Sequence, residues 1–215
     1  MSHPQAAALR QGLDALDVRL SDAQQADLLA YLDLLLKWNK VYNLTALREP
    51  DQVLTHHVLD CLAVVRPMTE RMPALTTVLD VGAGGGLPAV VIALACPHIQ
   101  VTAVDTVAKK AAFIQTAAHR LGLSNLKGVH ARVEDVSGPF DLVTSRAFAS
   151  LHDFTAWSRG ALAPHGVWMA MKGRTPDDEI SALPASVQVD ALEALQVPGL
   201  DAQRCLVWMR PAIQP

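Results

Sequence analysis

The chain has 215 residues and a mass of 23.1 kDa, enough for one to one and a half domains of ordinary size. Hydrophobic residues at 51% and charged residues at 18% exclude a disordered, highly charged chain. A net charge of −3 gives no general attraction to phosphate backbones, so any nucleic-acid contact must use local basic clusters.

Residues 1–72 read as a helical extension and residues 73–215 as an α/β core. In the extension, Ser21 and Gln24 fit a capping box, and Leu28, Leu29, Leu32, Leu35 and Leu36 recur at helical spacing up to Trp38. Residues 38–45, a mixture of aromatic, amide and basic side chains, read as a connector. A second helix is predicted from Pro50 and Asp51 through Val53, Leu54, Val58, Leu59, Leu62, Val64 and Val65 to Arg66, where Pro67 should end it. No apolar run approaches the roughly 18 residues of a membrane span, and the opening residues lack a signal-like layout. A cytoplasmic location with no membrane partner is therefore expected.

From Thr76 the pattern becomes strand–helix alternation. Strands are predicted at 76–81, 99–104, 126–131, 140–144 and 167–171, with crossover helices at 87–95, 108–121 and 151–162. The apolar character of these strands implies burial on both faces in a parallel, doubly wound sheet. A helix at 177–183 precedes two further strands, 187–197 and 204–209. The short link around Pro198 and Gly199 excludes a helical crossover and predicts an antiparallel hairpin. Seven strands closed in this way suit a methyl-transferring Rossmann-like sheet better than a nicotinamide-binding one.

The first strand runs into Gly82-Ala83-Gly84-Gly85-Gly86-Leu87-Pro88, a turn that lets a ligand approach the backbone with no Cβ in the way. About 20 residues later Asp105 ends the second strand, where a carboxylate can accept two ribose hydroxyls; it could instead cap the helix that begins near Thr106. Glu134, beside Val133 after the third strand, is placed to meet an adenine or to sit in an exposed acidic turn. Lys109, Lys110, Arg132, Arg146, Lys172 and Arg174 fall after successive strands. If they share one rim with the crevice, they favour a polyanionic substrate over solvated charges.

His56 and His57 have no third ligand beside them and read as structural, with no metal site. Cys61, Cys96 and Cys205 lack a paired spacing and read as buried core residues, none of them at a strand end facing the crevice. That argues against a cysteine nucleophile for carbon methylation. After the fourth strand stands Thr144-Ser145-Arg146-Ala147-Phe148, not the Asp/Asn-Pro-Pro-aromatic run of amino-group methyltransferases. An acceptor with its own lone pair needs no general base, only alignment with the methyl donor.

Taken together, the segment Trp38-Asn39-Lys40-Val41-Tyr42-Asn43-Leu44-Thr45, His57 with Asp60, Asp80 to Pro88, Lys109-Lys110 with Phe113, Arg132-Val133-Glu134, Ser145-Arg146-Ala147 and Lys172-Gly173 resemble one family. It is the bacterial 16S ribosomal RNA guanine-N7 methyltransferases, the glucose-inhibited division protein B family. The resemblance implies a class I, Rossmann-like methyltransferase that uses S-adenosylmethionine to methylate N7 of guanine 527 in the 530 loop, on RNA within a small-subunit particle, and as a monomer. It implies cofactor contacts from Gly82, Gly84, Leu87, Asp105, Val133, Glu134 and Arg146. Arg132, Arg146 and Lys172 become the candidates for holding RNA or the target base, with Asn39 and Asn43 shaping the pocket. Where the family has Pro-Gly after the glycine turn, this chain has Pro88-Ala89, which should loosen helix packing slightly. The competing readings are a small-molecule methyltransferase, a nicotinamide-dependent oxidoreductase and a non-catalytic nucleotide-sensing or ribosome-binding module.

Overall fold

The alanine-rich opening folds as α1 (Ala6–Leu16), which buries Leu9 and Leu13. Leu9, Leu13 and Leu16 mark its buried face at helical spacing, a signal that the reading of the opening residues passed over. α2 (Asp22–Tyr42) starts at the expected capping box: Ser21 Oγ accepts from the Gln24 N–H and Gln24 Oε1 accepts from the Ser21 N–H. It runs further than expected, so Trp38 to Tyr42 are helical and only the residues from Asn43, which caps the helix at φ 50°, connect.

The second predicted helix is broken. α3 (Pro50–Val53) passes into a π-helical stretch, Leu54–Leu59, then α4 (Asp60–Leu62), and after a turn at Ala63 and Val64 the chain resumes as α5 (Val65–Arg71). Pro67 does not end a helix. It occupies the first turn of α5, where a backbone N–H would have no intrahelical acceptor to lose.

The core follows as β1 (Thr77–Val81), α6 (Ala89–Ala95), β2 (Gln100–Asp105), α7 (Ala108–Arg120), β3 (Leu126–His130), a 3₁₀ turn at Val133–Asp135, β4 (Phe140–Arg146), α8 (Leu151–Ser158), β5 (Leu162–Lys172), α9 (Asp177–Ser181), β6 (Val187–Leu195) and β7 (Arg204–Pro211). In this computed structural model, which describes residues 3–212, the strands form one sheet ordered β3-β2-β1-β4-β5-β7-β6. β1 to β5 are parallel, and β7 pairs antiparallel with both β5 and β6. The order reverses at β1, so the carboxyl ends of β1 and β4 border a crevice, where ligands bind in open α/β sheets.

Alternation along the strands divides the core. Val78, Val101, Ala103, Leu142, Met169 and Trp208 face α6, α7 and the leucines of α1 and α2 in one continuous cluster. Leu79, Val81, Val143, Trp168 and Val207 face α8 through Leu151 and Phe154. Burial on both faces fails at β3, where Lys127 and His130 are exposed because this strand is an edge of the sheet. Arg146 and Lys172 close β4 and β5 rather than following them. No helix among the described residues is long and apolar enough to cross a membrane.

Replacing Ser21 by alanine removes the side-chain acceptor at the start of α2. Denaturant unfolding should show a loss of about 1 kcal/mol; an unchanged midpoint would mean the box adds nothing to this helix.

Candidate active site

The glycine turn takes its shape from two latches. The Gly82 and Ala83 N–H groups donate to the Val104 carbonyl at 2.9 and 3.1 Å, and the Gly84 N–H donates to Asp105 Oδ2 at 2.9 Å. Gly82 and Gly84 sit at φ +69° and +58°, which disfavours any side chain there. A Cβ on Gly82 would also lie 2.3 Å from the Phe148 ring. From the extension, the Tyr31 hydroxyl donates to the Gly85 carbonyl at 2.6 Å, which seats the turn on α2.

Asp105 engages both carboxylate oxygens. Its Oδ1 accepts from the Val107 N–H at 2.8 Å in the turn leading into α7, and it does not cap that helix, whose N-cap Val107 has no side-chain acceptor; Oδ2 holds Gly84, and Lys110 Nζ lies 3.8 Å away. Each carboxylate oxygen retains a second lone pair that can face a ligand hydroxyl. A cavity of about 450 Å³ opens beside it, lined among others by Gly82, Asp105, Arg132, Val133, Glu134 and Trp157. That volume suits a nucleoside-sized ligand. Small residues at the turn, a carboxylate at the end of β2 and an acidic turn after β3 fit an adenosyl group. Of the expected cofactor contacts, Gly84, Leu87 and Arg146 do not line this cavity: Gly84 is occupied by Asp105, Leu87 is buried in the core, and Arg146 lines a different cavity. Ala89 is fully buried at the first position of α6, and its N–H donates to Asp80 Oδ2 at 3.1 Å, so no loosening is visible there.

A second cavity of about 390 Å³ meets the first at Ala147, a non-glycine residue at φ +52°. His57, Asp60, Arg146, Lys172 and Arg204 line it. Asp60, 2% exposed, is its anchor: Oδ2 accepts from Arg146 Nη1 at 3.2 Å and Oδ1 from Arg204 Nε at 2.8 Å. Arg146 Nη1 also donates to the His56 carbonyl at 3.1 Å and lies 3.2 Å from His57 Nδ1. His57 Nε2 meets Thr45 Oγ1 at 2.6 Å. Burial, and then the Arg146 charge, push the His57 ring down to about 4, so it is neutral near pH 7. His57 is thus a structural link from the extension to Arg146, as read from the sequence.

Asp60 and Arg204 escaped the sequence reading as a pair, because residues 144 apart meet only through the antiparallel return of β7. The same return sets Cys205 opposite Lys172, but the residue is buried as expected and lines neither cavity, and burial raises its thiol pKa.

The basic rim is mostly neutralised. Arg132 binds Glu134 at 2.7 Å and holds that carboxyl below its ordinary range, and Lys172 binds Glu179 at 2.8 Å. Arg146 is tied to Asp60 and Lys110 lies near Asp105, which leaves Lys109 and Arg174 without ion-pair partners among the described residues. Asn39, 3% exposed, shapes the loop through the Leu47 carbonyl and the Thr45 N–H; Asn43 is exposed.

The family described as GidB, rRNA small subunit methyltransferase G, matches residues 24–207. The chain is 61% identical over 213 residues to "Ribosomal RNA small subunit methyltransferase G" of Acidovorax sp. (strain JS42), covering 95% of this chain and 94% of the relative. It is 58% identical over 207 residues to the protein of that name from Polaromonas sp. (strain JS666), covering 94% and 92%. Among solved structures, it superposes on the Burkholderia thailandensis 1,6-didemethyltoxoflavin-N1-methyltransferase, crystallised with S-adenosylhomocysteine, with a TM-score of 0.58 and 17% identity over 86% of this chain and 90% of the other. That likeness shows the fold, the Rossmann-like sheet of class I methyltransferases.

Asp80 is fully buried, its Oδ1 has no hydrogen-bond partner, and burial raises its carboxyl from 3.8 to about 7. The unfolded chain loses this proton near pH 4, whereas the folded chain keeps it to about 7. Asp80 therefore increasingly destabilises the fold as pH rises through that window, and the penalty is complete above it. Asp80→Asn should gain stability relative to the parent protein between about pH 5 and pH 8, by on the order of a few kcal/mol. Denaturant unfolding at both pH values checks this; a pH-independent difference would contradict it.

Proposed function

The chain belongs to the rRNA small subunit methyltransferase G family, and from that premise we propose that it methylates N7 of guanine 527 in the 530 loop of 16S ribosomal RNA. The donor is S-adenosylmethionine, and the protein acts as a cytoplasmic monomer on a small-subunit particle. One observation carries the reading: a cavity suited to an adenosyl ligand meets, at Ala147, a second cavity lined by Arg146, Lys172 and Arg204.

When bound, the cofactor supplies a sulfonium methyl group. Asp105 receives the ribose hydroxyls, Val133 and Glu134 border the adenine, and Gly82 allows backbone approach, while Gly84, latched to Asp105, and Leu87, in the core, hold the turn in shape. Arg146 lines the second cavity, next to Ala147 at which the two cavities meet, and so borders the target base. Arg146 and Lys172 donate to the guanine O6, a recognition that leaves the N7 lone pair free for the methyl carbon. Arg132, exposed at the mouth of the first cavity, meets the RNA backbone. No residue has to remove a proton, because N7 attacks through its own lone pair. Holding that nitrogen in line with the methyl group is the protein's main contribution.

Labelled adenosylmethionine, incubated with small subunits or naked 16S RNA and followed by mapping of the modified nucleotide, should place label at N7 of guanine 527. Arg146→Lys, which loses the planar fork, should cut transfer by about tenfold or more while cofactor binding persists. Cofactor binding without label in either RNA would reject the RNA reading in favour of a small-molecule acceptor.

A further inference from the structure

With the rim cations largely paired, the free positive charge lies elsewhere. Lys37 and Lys40 on the last two turns of α2, Arg48 in the following loop and Lys109 on α7 are exposed, and none has an ion-pair partner among the described residues. Lys40 and Arg48 flank a groove of about 340 Å³ floored by Leu36, Asn39 and Pro50. Beside it Val41 is 70% exposed and Tyr42 36% exposed. Tyr42 packs on Trp38 at 5.1 Å and Trp38 on Phe113 of α7 at 5.3 Å. Lys109 stands one turn before Phe113 on the same helical face.

We propose that this end of α2, with the loop to Pro50 and Lys109, is a docking surface for the phosphate backbone of the substrate RNA, a proposal that rests on the RNA reading above. Charge complementarity selects the occupant. Four unpaired cations cluster on a protein of net charge −3, and phosphate contacts of this kind position a nucleic acid. Three acids neighbour them, Asp33 beside His3, Asp51 accepting from the neutral Gln5 amide, and Glu49, so the four cations still outnumber the acids. Exposed Tyr42 adds a ring face on which an unpaired base can stack.

The surface is also braced against the second cavity. Buried Asn39 donates to the Leu47 carbonyl at 2.9 Å and accepts from the Thr45 N–H at 2.8 Å, and Thr45 reaches His57, which adjoins Arg146. RNA held at Lys40 and Arg48 therefore lies in a fixed register with the cavity proposed for the target base.

The test compares two full-length double variants with equal change in net charge: Lys40→Glu with Arg48→Glu, and Arg120→Glu with Lys127→Glu at the far end of the sheet. Binding to naked 16S RNA is measured across a salt series, together with cofactor affinity and methyl-transfer kinetics on small subunits. The docking variant should bind RNA about tenfold more weakly at low salt, with a salt slope smaller by about 1 to 2. Its KM should rise while kcat and cofactor affinity stay within about twofold, and the far-end variant should match the parent protein. Equal losses in both variants, or an unchanged slope and KM, would overturn the proposal. A loss confined to particles would assign the surface to a ribosomal protein and overturn it equally. Should the parent protein transfer no methyl group to RNA, the proposed function fails, while the salt slopes still decide whether this surface docks RNA. Absence of RNA binding by the parent protein would overturn both.

Discussion

A single buried carboxylate joins the helical extension to the sheet. Asp60 sits at the start of α4, 2% exposed, and accepts from Arg146 at the end of β4 and Arg204 at the start of β7. Burying a carboxylate is costly unless opposite charge and hydrogen bonds meet it, and here two guanidinium groups do so from strands far apart in the chain. Removing Asp60 leaves two guanidinium groups with no counter-charge in a partly dry site, and removing either arginine strips the carboxylate of one of its two donors. The second cavity depends on this triad for its walls, and so does the position of Arg146 beside the first. The π-helical stretch Leu54–Leu59 lies just before Asp60 and carries His57 to the same guanidinium; such stretches are rare and often mark functional sites.

The glycine turn is constrained from the opposite side. Asp105 holds Gly84, Val104 holds Gly82 and Ala83, and Tyr31 reaches from α2 to Gly85. The extension thus touches both halves of the site, through Tyr31 at the turn and through Asp60 and His57 at the second cavity. Its leucines share one continuous core cluster with α6, α7 and the sheet, so a shift of α2 would be felt at both cavities.

What the sequence made legible was local. Ser21 and Gln24 announce a helix start within four residues, the strand leading to Gly82 announces a ligand turn within ten, and the short link at Gly199 announces the final hairpin. Chain-distant pairings were not legible. Arg132, Arg146 and Lys172 looked like one field of free charge, yet each meets a carboxylate, and the partners of the last two lie on separate elements. Pro67 was misread because the same residue suits a helix's first turn as well as its end. α1 was missed although Leu9, Leu13 and Leu16 mark its buried face, because its three opening alanines drew attention to composition and away from that spacing.

Methyl transfer depends on the charge of Asp60 through Arg146. Asp60→Asn keeps the size of the side chain and removes its charge, so methyl transfer to small subunits and cofactor affinity should be measured together on the folded variant. Transfer should fall by about tenfold or more while cofactor affinity changes by less than about threefold, because Arg146 loses its counter-charge but the glycine turn and Asp105 are untouched. Transfer at the parental rate would contradict that dependence and would leave Asp60 a packing residue with no part in arranging the site.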